Sequence, residues 1–144
     1  MTTSISEIRK DFPLLMSNDV IYLDTAATSQ KPSCVLEAER TFYEKYNANP
    51  LRGLYELGEA ATEKYEEARE TVREFLNARE AAEIVFVRNA TEGLNLVAYS
   101  FGSLVLKPGD EILVSIMEHH SNLLPWQQAA ARTGAVVKYL ECTE

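Results

Sequence analysis

The sequence is poor in cysteine and in positive charge, and each shortage excludes a class of function. Only two cysteines occur in 144 residues, Cys34 and Cys142, without a Cys-x-x-Cys pair, which argues against a metal site or a redox pair. We expect both to be buried, reduced thiols. Lys and Arg number 14 against 22 Asp and Glu, a net charge of −8. This charge would repel nucleic acid and an anionic membrane surface, so we expect neither as a partner.

Long apolar runs and the common glycine-rich motifs are also missing. No segment has the length and apolarity of a transmembrane helix, and the first residues lack the apolar core of a secretory signal, so we expect a cytoplasmic protein. Without Gly-x-Gly-x-x-Gly, Gly-x-Ser-x-Gly or His-Glu-x-x-His, a dinucleotide site, a serine hydrolase and a zinc protease have no support. The composition, 46% apolar and 25% charged, is that of a globular domain.

The hydrophobic pattern in the second half of the chain predicts alternating strands and helices. The apolar runs predict three strands, at Ile84–Val87, Glu111–Ile116 and Ala135–Leu140. Helices are predicted between them, over Thr91–Phe101 and Leu123–Thr133, with Gly134 as a left-handed residue after the second. This alternation is typical of a mostly parallel α/β fold with flanking helices.

The first half predicts mainly helix. A short helix, Glu7–Asp11, is ended by Pro13, and Val20–Leu23 has the apolar character of a brief strand. The other predicted elements are a turn over Asp24–Pro32, a helix over Pro32–Tyr46, a loop over Asn47–Gly53 and an amphipathic helix from Leu57 or Gly58 to Leu76.

The segment Asn89-Ala90-Thr91-Glu92-Gly93 places small and hydroxyl-bearing residues where a strand gives way to a helix. The first N–H groups of a helix have no partner within it, so Ala90 and Thr91 would direct N–H groups and a hydroxyl at one spot that suits a phosphate. The same residues are also ordinary for a helix cap, and taken alone they favour that structural interpretation.

The segment Met117-Glu-His-His-Ser-Asn follows the predicted strand ending at Ile116. Ligands of open α/β sheets bind at the carboxyl ends of strands, which places His119 and His120 on the same side of the sheet as the phosphate cradle. Out of context, two loop histidines favour a surface role. A phosphate cradle with a nearby histidine, however, suggests a phosphorylated aromatic cofactor.

Together with Tyr22-Leu-Asp-Thr-Ala-Ala-Thr-Ser-Gln-Lys-Pro-Ser, these segments resemble the class V aminotransferase family of pyridoxal-phosphate (PLP) enzymes. The similarity is greatest to cysteine desulfurases of the SufS type and runs from about Ile8 to the last residue. It covers the amino-terminal third of a family member. The resemblance implies that residues 1–144 are the amino-terminal segment and the first, incomplete part of the large domain of PLP-dependent transferase fold type I. The chain is therefore expected to be a truncated fragment.

The resemblance assigns roles to individual residues. Ala90 and Thr91 would bind the cofactor phosphate, and His119 would stack on the cofactor ring and move protons, with His120 in a structural role. Ala26 and Ala27 would line the amino-acid pocket, although a plain tight turn explains them equally well. Arg52 is a candidate anion contact. Many desulfurases have histidine where Leu51 stands, so the contribution of that histidine is lost here.

The function implied by the resemblance is that of a homodimeric, PLP-dependent cysteine desulfurase. Such an enzyme converts L-cysteine to L-alanine and passes persulfide sulfur to an acceptor protein for iron–sulfur cluster assembly. The family's Schiff-base lysine and nucleophilic cysteine match no lysine or cysteine here, so we expect these 144 residues to be inactive alone. A selenocysteine lyase, an epimerase, an aminotransferase or a non-catalytic α/β fragment stay open as alternatives.

The resemblance also predicts an incomplete sheet. The fold it implies has a seven-stranded large sheet, and the three strands predicted here would be the first in sequence without all being neighbours. The first of them, Ile84–Val87, should therefore lack its usual partners, which would leave the net stability of the chain low.

Overall fold

The computed structural model describes residues 4–142, which form two compact units, one ending at Ile84 and the other beginning at Val85. The first unit contains α1 (Ile5–Lys10), α2 (Pro13–Ser17), α3 (Ser33–Lys45), α4 (Glu56–Leu76) and a 3₁₀ helix (Ala81–Glu83). The second contains α5 (Ala90–Tyr99), α6 (Phe101–Val105), β1 (Glu111–Ser115), a 3₁₀ helix (His120–Asn122), α7 (Leu124–Thr133) and β2 (Val136–Leu140). No helix within residues 4–142 is both long and apolar enough to cross a membrane.

Helix α4 confirms the long amphipathic helix predicted from the sequence. It has 21 residues, with Glu56 and Glu59 in the first turn, where carboxylates interact favourably with the helix dipole. Its buried positions are Gly58 and Ala61. Asn77 ends it in the left-handed conformation, at φ 54°, which Asn tolerates better than most residues.

Pro13 has two roles rather than one. Helix α1 ends before it, as predicted, but the same proline is also the first residue of α2. Proline suits this position because the first N–H of a helix has no intrahelical acceptor, so nothing is lost when it is missing.

In the second unit, β1 and β2 form a parallel pair joined by α7, which confirms the predicted α/β arrangement. Glu111 pairs with Val136 and Ser115 with Leu140. Two glycines shape the connections, Gly109 at φ 89° before β1 and Gly134 at φ 80° after α7. The Gly109 N–H donates to the Gly134 carbonyl over 2.9 Å, which ties the turn before β1 to the end of α7.

The strands predicted at Val20–Leu23 and Ile84–Val87 are wrong as secondary structure. Within residues 4–142 the sheet consists of β1 and β2 alone, and neither apolar run is hydrogen-bonded as a strand. The physical reason is the absence of a partner, because a strand is defined by the ladder it makes with a neighbour and not by its own residues. For Ile84–Val87 this is the outcome that the incomplete sheet predicts.

The predicted helix Thr91–Phe101 is interrupted at Ser100 and continues as α6. Ser100 has φ −80° and ψ −70°, and its hydroxyl donates to the Leu96 carbonyl one turn earlier. A serine that hydrogen-bonds back to the preceding turn bends a helix, which explains the break.

The core is small and built largely from alanine. Among residues 4–142 no large side chain is fully buried, and five of the seven buried apolar residues are alanine: Ala61, Ala98, Ala129, Ala130 and Ala135, with Ile84 and Val114. Both cysteines are exposed, so the expectation that they are buried is wrong. Neither cysteine is part of this small core. Because the core consists largely of methyl groups, it contributes little hydrophobic stabilisation.

A candidate cofactor site at the start of helix α5

The start of α5 is held by two side chains that cap it from opposite directions. The Asn89 carboxamide oxygen accepts from the Glu92 N–H over 2.9 Å, as an N-cap residue does. The Glu92 carboxylate reaches back and accepts from the Arg88 N–H over 2.6 Å. These bonds orient the first turn without using the N–H groups of the two residues between them.

Those two residues, Ala90 and Thr91, keep free donors. Within the described part of the chain, no acceptor meets the N–H of Ala90, the N–H of Thr91 or the Thr91 hydroxyl, and Thr91 is exposed. The positive end of the α5 dipole adds about 0.3–1 kcal/mol for an anion at this position. Three adjacent donors at a helix start fit the phosphate of a cofactor such as PLP.

An ion pair beside these donors lowers the local negative charge. The Arg88 guanidinium donates to both carboxylate oxygens of Glu92, each over 3.2 Å. The backbone N–H of Arg88 and its guanidinium together hold the pKa of Glu92 below its usual value. Glu92 is thus ionised at neutral pH, but Arg88 balances its charge, so an incoming anion does not face a bare carboxylate. This pairing was not among the predictions from the sequence, although its i, i+4 spacing is a recognisable signal.

His119 follows β1 and immediately precedes the 3₁₀ helix His120–Asn122. Its Nδ1 accepts from the Ser121 N–H over 3.2 Å and lies 2.9 Å from the Ser121 hydroxyl. Because Nδ1 is an acceptor, the neutral ring carries its proton on Nε2. The ring is exposed, and His120 meets it edge-on with centroids 6.1 Å apart.

A second set of hydrogen bonds fixes the loop on either side of His119. The Asn122 side chain donates to the Glu118 carboxylate and accepts from the Trp126 indole N–H, both over 2.9 Å. At the end of β1, the Ser115 hydroxyl accepts from the Met117 N–H over 2.9 Å. The loop is therefore anchored to both β1 and α7, which limits the positions available to the His119 ring.

The two predicted cofactor segments belong to elements that pack together. Helix α5, which Ala90 and Thr91 begin, contacts both the 3₁₀ helix that follows His119 and helix α7. The phosphate donors and the imidazole thus lie on neighbouring elements of the second unit.

The predicted substrate residues lie in the first unit. Ala26 and Ala27 are exposed in a turn closed by the Asp24 carbonyl, which accepts from the N–H groups of Ala27 over 3.2 Å and Thr28 over 3.1 Å. The Tyr22 hydroxyl donates to the Thr28 carbonyl over 2.6 Å and fixes the other side of the turn. Because Ala26 and Ala27 carry only methyl side chains and are exposed, the backbone at these two residues is approachable.

Arg52 is exposed on a loop, and the residue before it, Leu51, has a strained backbone conformation. Leu51 has φ 69°, which is uncommon for a branched side chain, and its N–H donates to the Thr62 hydroxyl over 2.8 Å. Gly53 packs so closely on Gly58 that a Cβ added to it would lie 2.7 Å from the Gly58 Cα. Among the described residues, the Arg52 guanidinium has no carboxylate partner, so it is available to an anion. Nothing in the residue pattern signalled the positive φ at Leu51.

Comparison with known proteins gives a consistent result. The sequence profile of the family described as "Aminotransferase class-V" matches residues 21–144. A probable cysteine desulfurase of Synechocystis sp. is 53% identical over 141 residues, which are 95% of this chain and 34% of that protein.

Solved structures agree. The apo structure of a cysteine desulfurase from Thermococcus onnurineus superposes with a TM-score of 0.88 at 44% identity, over 99% of this chain and 34% of that one. A C-DES mutant with glycine covalently linked to its PLP cofactor superposes with a TM-score of 0.69 at 24% identity, over 93% of this chain and 33% of that one, a likeness of fold. The chain spans about a third of the length of the relatives it matches.

Proposed function

The chain belongs to the class V aminotransferase family, and from that premise we propose that it supplies the phosphate-binding and ring-covering residues of a PLP-dependent cysteine desulfurase. The observation that carries the proposal is the set of free donors at Ala90 and Thr91, on a helix that packs against the segment following His119. A 53% identical relative that is a probable cysteine desulfurase supports the choice of reaction within the family.

Ala90 and Thr91 bind the cofactor phosphate in this proposal. The two N–H groups and the Thr91 hydroxyl provide three donors, and hydrogen bonds to a charged group contribute about 1.5–3 kcal/mol each. The pairing of Arg88 with Glu92 holds the first turn of α5 in place while the phosphate binds.

His119 covers the cofactor ring and handles a proton at Nε2. A stacked aromatic pair contributes about 0.5–1.5 kcal/mol beyond area burial. The hydrogen bond from the Ser121 N–H occupies Nδ1, so Nε2 is the nitrogen that carries the proton of the neutral ring and can donate it near the reacting atoms. When bound, PLP supplies an electron sink for the amino-acid substrate.

The remaining assignments rest on resemblance to the family. L-Cysteine is the substrate, with the Ala26–Ala27 turn admitting its backbone and Arg52 contacting an anionic group. The enzyme is a cytoplasmic homodimer, and its persulfide sulfur passes to an acceptor protein for iron–sulfur cluster assembly. The exposed Arg52 guanidinium, which has no carboxylate partner among the described residues, is compatible with such a contact.

The decisive experiment is a chimera in which residues 1–144 replace the matching third of the Synechocystis relative. We expect a folded protein with a PLP absorption band that produces L-alanine from L-cysteine at a rate within about tenfold of the unaltered relative, the loss that a difference of about 1.4 kcal/mol in barrier height would cause. The relative itself is the positive control. A chimera that melts cooperatively but neither binds PLP nor forms alanine, while the relative does both, contradicts the proposal.

The 144 residues alone are a separate test. We expect no alanine above a no-protein blank when they are incubated with L-cysteine and PLP, because none of their lysines or cysteines matches the family's Schiff-base lysine or nucleophile. Alanine formation by the isolated chain would contradict this assignment.

A further inference from the structure

The backbone around Arg52 is held against helix α4 on both sides. The Leu51 N–H donates to the Thr62 hydroxyl over 2.8 Å, and that hydroxyl in turn donates to the Gly58 carbonyl over 2.7 Å. On the other side, Gly53 packs so tightly on Gly58 that a Cβ added to either would lie 2.7 Å from the Cα of the other. Arg52 therefore lies between two anchored residues.

The Thr62 hydroxyl does more than an ordinary threonine in a helix. A helical threonine commonly donates to the carbonyl four residues earlier, as Thr71 of the same helix does to Glu67 over 2.9 Å. Within residues 4–142, the Thr71 hydroxyl makes no further hydrogen bond, whereas the Thr62 hydroxyl also accepts from Leu51, eleven residues earlier. Thr62 thus joins the loop to the helix, and Thr71 offers a comparison without this second bond.

Leu51 depends on this bond because its backbone is strained. Its φ of 69° is a left-handed conformation, in which the Cβ of a residue other than glycine is crowded by the neighbouring backbone. Such a conformation persists only where surrounding contacts hold it, and the hydrogen bond to Thr62 is such a contact. Without it, Leu51 is expected to relax toward negative φ, a rotation that changes the direction in which the chain carries Arg52.

The charge near the loop indicates what this direction achieves. The residues on either side of Arg52 line a cavity of about 700 Å³, whose walls also carry three glutamates, Glu56, Glu59 and Glu63. Arg52 is exposed, yet no carboxylate in the described part of the chain forms an ion pair with its guanidinium. If the loop were released, these carboxylates would attract the cation and compete with a ligand for it.

We propose that Thr62 is a positioning residue for Arg52. By accepting the Leu51 N–H, its hydroxyl holds the loop so that the Arg52 guanidinium stays free for the anionic group of the substrate. The inference rests on the proposed function, in which Arg52 makes that contact. Thr62 itself touches neither substrate nor cofactor in this arrangement, so its loss should weaken substrate binding without slowing the chemical step.

Trypsin tests whether Thr62 holds the loop, independently of any reaction. It cleaves after Arg52 when the loop opens locally and after Arg40 in helix α3 when the chain unfolds more widely. In the 144-residue chain, we expect Thr62→Val to raise the ratio of cleavage after Arg52 to cleavage after Arg40 by about fivefold or more, the effect of one lost hydrogen bond. Thr62→Ser, which keeps the hydroxyl, and the matched control Thr71→Val should leave the ratio unchanged. Mass spectrometry of the first fragments measures it.

Steady-state kinetics of the chimera tests whether Thr62 acts through Arg52. We expect Thr62→Val to raise the KM for L-cysteine by about fivefold or more with kcat little changed, because binding lost equally from ground and transition states raises KM alone. Thr62→Ser should keep the parent KM. Arg52→Gln should raise KM at least as much as Thr62→Val. Adding Thr62→Val to Arg52→Gln should then have little further effect, because no guanidinium is left to position.

Three results would overturn the proposal. The first is a cleavage ratio that Thr62→Val leaves unchanged or that Thr71→Val raises equally. The second is a KM that Thr62→Val leaves unchanged, whatever happens to kcat. The third is an equal rise in KM whether or not Arg52 is present. A chimera that folds but forms no alanine would count against the proposed function, and the cleavage ratio would still decide whether Thr62 holds the loop.

Discussion

Thr91 is the residue on which the proposed phosphate site most depends, because its hydroxyl and its N–H are both free and exposed. Replacing Thr91 with Val in the chimera removes the hydroxyl and keeps the shape and the N–H. We expect PLP affinity to fall roughly 10- to 150-fold, the equivalent of about 1.5–3 kcal/mol for a hydrogen bond to a charged group. Titration of the PLP absorption band measures it.

Thr91→Ser is the matched control for this change, since it keeps the hydroxyl and removes only a methyl group. Its PLP affinity should stay within about threefold of the parent chimera, less than 1 kcal/mol. Equal losses in the Val and Ser variants would contradict the hydroxyl's role.

The two roles proposed for His119, covering the cofactor ring and transferring a proton, can be tested separately. His119→Phe keeps an aromatic face for the cofactor ring but cannot hold a proton. In the chimera we expect kcat to fall roughly 10²- to 10⁴-fold, the usual contribution of a general acid or base, with PLP affinity little changed. Steady-state kinetics with a parallel PLP titration distinguishes the two. Unchanged kcat would exclude proton transfer by this side chain.

We expect the contribution of Glu92, at the start of α5, to the stability of the fold to depend on pH. Its folded pKa is lowered by Arg88, so its contribution to stability is present above the unfolded pKa, about 4.3, and is lost as pH falls through the lower folded pKa. In the chimera, the urea midpoint should be higher than that of Glu92→Gln at pH 7, and the difference should shrink as the pH falls through the lowered pKa of Glu92. A difference that grows as the pH falls would have the wrong sign.

At the scale of elements, the contact between Gly134 and Pro108 offers a controlled test of packing. A Cβ at Gly134 would lie 3.1–3.3 Å from three atoms of Pro108, whereas a Cβ at Gly109 would meet nothing within 4 Å. Both glycines have positive φ, so alanine at either position carries about 1–2 kcal/mol of backbone strain. Only Gly134→Ala adds the steric contact.

We therefore expect Gly134→Ala to destabilise the chimera more than Gly109→Ala, by about 1 kcal/mol or more. Urea unfolding of the two variants measures the difference. Equal destabilisation would mean that Pro108 moves aside at no cost.

The same elements show what a sequence can and cannot predict. Helix α4, the left-handed Gly134 and the pair β1–β2 were foreseen because their signals are local: amphipathic spacing, a glycine after a helix, and apolar runs joined by a helix. The interruption of the helix at Ser100 and the absence of a strand at Val20–Leu23 were not predicted. Whether Ser100 bends a helix depends on the rotamer it adopts, and Val20–Leu23 has strand-forming residues but no neighbour to pair with.

In the candidate site, too, some features could be predicted from local sequence and others could not. The donors at Ala90 and Thr91 could be predicted because a helix start exposes its N–H groups whatever surrounds it. The choice of Nε2 as the protonated nitrogen of His119 could not, since it depends on where the Ser121 N–H points. The roles of Ala26, Ala27 and Arg52 stay predictions from resemblance.

At the scale of the whole molecule, the alanine-rich core predicts marginal stability. A fully cooperative domain of 144 residues would unfold with an enthalpy of about 100 kcal/mol near 60 °C. We expect calorimetry of the isolated chain to show a broad transition with less than half of that enthalpy, because so few large side chains are buried. A sharp, full-sized transition of the chain alone would contradict this expectation.

In the extended segment Ile84–Val87, the backbone groups of Val85 and Val87 have no hydrogen-bond partner among the described residues and form an open edge, which has a consequence for synthesis on the ribosome. In a relative whose matched third lies at the amino terminus, this edge would emerge before the remaining two thirds of the protein are translated. At roughly 5–20 residues per second, that interval is on the order of tens of seconds. During that time the nascent chain would display a β-edge able to aggregate with its neighbours on a polysome, and it would be a natural client for a chaperone.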